Sequence, residues 1–230
     1  MPRLSSESRT LATDNLKCVR YQLMHMLAHS NGVSFGKKDH FGLEQPDGID
    51  VSNPYGSDKF MFLHYFADAN LKISSTTGGV GMLGGGCVLP VCQRQHLAAP
   101  GSHTVEVVGA GTNYSLLVPL NGVLQELRIR QGKPVPFYLD STTTVFVSTS
   151  DTAIKKSIWL IRRVAVLEDG VTHGEIQPIH ISERDMAADP MTKYLTHGVW
   201  ARHMHYVLNK DGPLPAYPAK KEHTLPKGDG

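Results

Sequence analysis

The segment at 134–150, PVPFYLDSTTTVFVSTS, constrains this chain most. Its apolar alternating run reads as a buried strand, and that run stops on a carboxylate, Asp140, before a Thr-rich piece whose spacing also admits a short helix. An acid is therefore held where a strand leaves the core. Three more acids stand at comparable junctions: Asp68 closing KFMFLHYFAD, Glu106 in SHTVEVVGAG, and Asp189 in SERDMAADPMTKYL. If the fold gathers all four, the site is a carboxylate cage for divalent metal.

Size and composition bound what can surround such a cage. With 230 residues, 40% hydrophobic and 19% charged, the chain supports one sizeable core with arms. A formal charge of +2 permits nucleic-acid binding without arguing for it. Cys18, Cys87 and Cys92 form no CxxC pair, which gives no disulfide or thiolate-metal framework and suits an intracellular reducing compartment. The beginning, MPRLSSESRTLA, is faintly like an organellar transit peptide, so organellar import stays open. No run of 18 apolar residues exists, so no membrane span is expected.

Residues 13–30 read as an amphipathic helix behind Thr13, with His25 and His29 on a polar flank, and 36–58 as a loop. A strand over 59–67 delivers Asp68, and TTGGVGMLGGGCVLPVCQRQ reads as two strands turned at glycines 84–86. Residues 106–130 allow two readings. VEVVGAG is similar to a strand entering a dinucleotide-binding turn, although Tyr114 stands where the third glycine belongs. As a helix, the stretch carries Val107, Ala110, Leu117, Leu120, Leu124 and Leu127 on one side, kinked by Pro119 and Gly122. A further helix carries Ile154, Ile158, Ile161, Val164 and Leu167 inward and Lys155, Lys156, Arg162 and Arg163 on its flanks. GEIQPIHIS is a last strand. A helical turn started by Ser182 presents Asp189 and is limited by Pro190. THGVWARHMHYVLN is a short amphipathic helix before a proline- and lysine-rich tail.

In this order the motifs resemble the ribonuclease H domain of copia-type LTR retrotransposon polyproteins. YFADANL stands where that family has its first catalytic aspartate, SSTTGGVGMLGGG looks like its Ser-Thr-Ser-Gly hairpin, and SHTVEVVGAG like its Ser-Thr-Glu-Ala-Glu-Tyr helix start. PVPFYLDSTTTV is similar to its third-acid strand, IKKSIWLIRR to its Arg-Thr-Lys-His-Ile helix, and ERDMAADPMTKYL to its Ala-Asp-x-x-Thr-Lys-x-Leu ending. Departures include Asn70-Leu71 in the first signature, Ser157 in place of a histidine, and Pro119 and Gly122 after Glu106.

The resemblance implies an α/β fold: a ribonuclease H-like mixed five-stranded sheet, its first three strands antiparallel, with helices on both faces. The expected division is an extension over 1–58, the domain over 59–209 and an extended tail over 210–230. It further implies Asp68, Glu106, Asp140 and Asp189 as catalytic and metal-binding acids for two Mg²⁺ or Mn²⁺ ions, converging within roughly 8 Å. Lys155, Lys156, Arg162, Arg163 and Lys193 are the implied nucleic-acid contacts, with an RNA/DNA hybrid as partner. The alternative is a retrotransposon-derived module that keeps the fold as a nucleic-acid-binding or structural subunit of a larger protein or ribonucleoprotein assembly, since a fold is not a function.

Overall fold

The computed structural model of the chain describes residues 63–96, 100–126, 134–150, 158–210 and 212–218. The helix expected at 13–30, the loop at 36–58, the beginning of the first strand, Lys155, Lys156 and the end of the tail lie outside the described residues. So do Leu127, Ile154 and the expected boundary at residues 58 and 59.

Five strands form one mixed sheet: β1 (His64–Asn70), β2 (Thr76–Leu83), β3 (Gly86–Arg94), β4 (Val135–Leu139) and β5 (Ile176–His180). Their order is β3-β2-β1-β4-β5. β1, β2 and β3 pair antiparallel, while β4 runs parallel to both β1 and β5. The β2–β3 hairpin turns at Gly84 and Gly85, both at positive φ, as a two-residue hairpin of this hand requires. Both edge strands carry a proline, Pro90 in β3 and Pro178 in β5, which removes a ladder donor and discourages further pairing. This is the ribonuclease H-like α/β architecture expected, a mixed five-stranded sheet with its first three strands antiparallel.

The helices are α1 (Ser102–Glu126), α2 (Thr142–Thr149), α3 (Ile158–Thr172), a 3₁₀ turn (Glu183–Asp185), α4 (Asp189–Thr192) and α5 (His197–Val207). They cover both faces of the sheet. On one, Tyr65, Ala67, Phe137 and Leu139 pack against Ala110, Tyr114, Leu117 and Leu124 of α1. On the other, Phe66, Val80 and Tyr138 pack against Met186, Trp200 and Met204. Burial on both sides explains why β1 and β4 read as nearly continuous apolar runs. Stacked rings tie the two strands in register, Tyr65 on Phe137 at 5.7 Å and Phe66 on Tyr138 at 4.9 Å between centroids.

Residues 102–126 form one helix, so the dinucleotide-turn reading of VEVVGAG is incorrect. Val105, Val108, Leu117 and Leu124 are buried at helical spacing, and that packing outweighs the strand propensity of the valines. Pro119 sits within the helix on its exposed side, where water can satisfy the carbonyl it leaves unbonded. A buried amide anchors the helix: Asn113 accepts from the Tyr65 hydroxyl at 3.0 Å and donates to the carbonyls of Gly78 at 2.8 Å and Gly109 at 3.0 Å. In α3 the buried stripe is Leu160, Val164 and Leu167, while Ile161 is only partly buried. Pro190 lies in the first turn of α4, where a missing N–H costs nothing, so it opens that helix instead of limiting it.

Candidate metal centre

Asp68 and Asp140 come together because β1 and β4 are parallel neighbours. Tyr65 stands opposite Phe137 and Phe66 opposite Tyr138. The same register, continued by two residues, sets Asp68 beside Asp140. Asp68 lies inside β1, not at its end, because the antiparallel ladder to β2 continues through Asp68 opposite Gly78 as far as Asn70. Asp140 directly follows β4, and Ser141 then caps α2 by accepting from the Thr144 amide at 3.2 Å. The chain at Asp140 is thus held between a strand and a capped helix.

Glu106 reaches the same point from the first turns of α1. One carboxylate oxygen from each of Asp68, Glu106 and Asp140 lies within 4.8 Å of the others. Asp189 starts α4, and its carboxylate is gripped by Lys193 one helical turn on, Nζ to Oδ1 2.9 Å. The same ammonium stands 3.7 Å from Asp68 Oδ1. Thr192, between them in sequence, donates its hydroxyl to Asp68 Oδ2. Asp68 Oδ1 is left buried without a hydrogen bond.

Gly78 lets α4 sit this close to the sheet. A Cβ there would meet Thr192 Cγ2 at 2.5 Å and Met191 Cβ at 2.9 Å. Sequence reasoning did not single out Gly78 or Thr192. The signal for Thr192 was present in the Asp-x-x-Thr-Lys spacing, which puts residues 189, 192 and 193 on one turn.

The electrostatics are those of a cluster short of cations. Burial, then the charges of Asp68 and Asp140, push the Glu106 carboxyl up to about 9. Burial and Asp68 raise Asp189 to about 7 despite Lys193, and burial and Asp68 also raise Asp140. For Lys193, burial pulls the ammonium down, but the charges of Asp68, Asp189 and Asp140 more than offset it and leave it above its ordinary range. A divalent ion fits this donor set. Three hard oxygen donors converge, and Asp68 Oδ1 is an anionic atom with no proton donor in hydrogen-bond reach.

The described basic residues fall into two groups. Arg162 and Arg163 are exposed on α3, in the part of the helix where Leu160 and Val164 pack against Val107, the neighbour of Glu106. Lys193 is inside the acidic cluster, because the ion pair with Asp189 draws it inward.

The fold and site together describe a ribonuclease H-like α/β domain with an acidic, metal-compatible centre. No protein-family model matches the chain, and no curated protein does. Solved structures to which it is similar include three ribonuclease H domains, each 14% identical in sequence. The N-terminal ribonuclease H domain of a Mycobacterium tuberculosis protein, solved as a fusion with maltose-binding protein, matches with a TM-score of 0.43 over 57% of this chain and 91% of that one. A ribonuclease H1 from the halophilic archaeon Halobacterium salinarum NRC-1 matches with a TM-score of 0.42 over 56% and 93%. One isolated from compost by a metagenomic approach matches with a TM-score of 0.46 over 57% and 93%.

Proposed function

We propose that this chain is a metal-dependent endonuclease of ribonuclease H type, hydrolysing the RNA strand of RNA/DNA hybrids. The observation that carries the reading is the meeting of Asp68, Glu106 and Asp140 within 4.8 Å, from three elements distant in sequence. Magnesium is the ion whose preference for a few carboxylates and several waters suits such a set. When bound it would neutralise the leaving oxygen and activate a water for attack on the phosphodiester. The chain's own part is to hold the carboxylates. Thr192 holds Asp68 through Oδ2 and leaves Oδ1 without a hydrogen bond.

Phosphate contacts on the flanking duplex are assigned to Arg162 and Arg163, with Lys155 and Lys156 preceding them in sequence. Lys193 is spent on Asp189 and Asp68. Descent from a copia-type element is proposed on the order of the motifs, ERDMAADPMTKYL above all.

One observation favours the second reading, a non-catalytic binding module: the Lys193 ammonium already neutralises part of the charge that would attract metal. A labelled RNA/DNA hybrid incubated with the purified chain and Mg²⁺ or Mn²⁺ separates the two. Cleavage that disappears in Asp140→Asn is expected. Salt-dependent hybrid binding by the folded wild type, with no cut RNA under either metal, would transfer support to the binding module.

A further inference from the structure

We propose that the Lys193 ammonium is the resident second cation of this centre, so that the cluster takes one divalent ion on Asp68, Glu106 and Asp140 while Asp189 serves Lys193. This assignment rests on reading the three acids as a metal site, and it departs from the two-ion, four-acid arrangement that the sequence resemblance implies.

The argument is geometric. Lys193 Nζ stands 2.9 Å from Asp189 Oδ1 and 3.7 Å from Asp68 Oδ1, so one ammonium spans both acids. The pair is shut in: the Lys193 side chain is 25% exposed, that of Asp189 4% and that of Asp68 fully buried. Water therefore competes weakly for either partner. Rotation is also restricted. Asp189 and Lys193 sit one turn apart, and the Lys193 amide donates to the Asp189 carbonyl at 3.0 Å, closing the turn that carries both side chains. A divalent ion binds carboxylate oxygens at about 2.1 Å. To bridge Asp68 and Asp189 it would need the volume that Nζ now fills, and Lys193 would have to leave.

The other side of Asp68 is different. Oδ2 is taken by Thr192, Oδ1 is buried and carries no hydrogen bond, and one carboxylate oxygen of Asp68 lies within 4.8 Å of one from Glu106 and one from Asp140. Oδ1 has one cation at ion-pair distance, Lys193 Nζ at 3.7 Å, and accepts no hydrogen bond. Lys193 pairs with Asp189 and Asp68, whereas Glu106 and Asp140 converge on Asp68 as carboxylates, and that asymmetry predicts a single metal position.

The test is Mn²⁺ titration of the purified chain at pH 8, read by calorimetric stoichiometry and by electron paramagnetic resonance, which distinguishes an isolated Mn²⁺ from a coupled pair. Wild type is expected to bind one ion with an uncoupled spectrum, Lys193→Arg likewise one, and Lys193→Met two with a coupled spectrum. Should Lys193→Met not fold, the wild-type and Lys193→Arg stoichiometries still decide the matter. Two coupled ions on wild type, or one on a folded Lys193→Met, would overturn the assignment while leaving the metal site standing. No Mn²⁺ on any variant would overturn the metal reading itself and this assignment with it.

Discussion

Replacing Glu106 by glutamine isolates the cost of assembling the acidic cluster without metal. In the folded protein the Glu106 carboxyl is raised from its ordinary 4.5 to about 9, by burial first and by Asp68 and Asp140 next. At pH 8 it is therefore protonated when folded and ionised when unfolded. The unfolded chain then binds fewer protons than the folded one, so stability falls as pH rises between about 4.5 and 9. At about 1.4 kcal/mol per pH unit, the interval from pH 5 to pH 8 is worth at most about 4 kcal/mol. Relaxation and residual solvent at this partly exposed acid reduce that to about 2 kcal/mol. Glutamine carries no titrating proton and keeps the size of the side chain. Urea unfolding in EDTA should find Glu106→Gln close to wild type at pH 5 and more stable by about 2 kcal/mol at pH 8. Asp189 titrates in both proteins and largely cancels in the difference. Curves that stay parallel from pH 5 to pH 8 would refute the assignment of this strain to Glu106.

Asp140→Asn should abolish hybrid cleavage while leaving the circular dichroism spectrum unchanged, which a gel assay beside a spectrum checks. Because a proton must leave Glu106 before metal can bind there, the apparent Mn²⁺ affinity should rise close to tenfold from pH 7 to pH 8 and flatten above about 9; a flat calorimetric series would count against Glu106 as a ligand. Asn113→Ala removes the shared partner of Tyr65, Gly78 and Gly109, and should cost about 2–4 kcal/mol in urea unfolding. Gly78→Ala should push α4 from the sheet, costing about 1–3 kcal/mol and weakening Mn²⁺ binding by displacing Thr192 from Asp68; an unchanged Mn²⁺ affinity would show that Thr192 does not position Asp68.

Much of the fold could be read from local pattern. The apolar run before Asp140, the glycine-turned hairpin and the stripe of α5 each state their element, because side-chain period follows directly from backbone geometry. Asp68 and Asp140 could be located for the same reason, each beside a strand whose burial was evident. What periodicity does not encode is the distance between side chains far apart in sequence. The parallel register of β1 with β4 sets Asp68 beside Asp140, and the α1 packing that brings in Glu106 decided against a dinucleotide turn. Lys193 shows the limit most clearly. In sequence it is one basic residue among several, free to face a phosphate. Only the close seating of α4 over Gly78 turns its ammonium onto Asp189 and Asp68, because the field that draws it inward belongs to acids assembled from both ends of the domain.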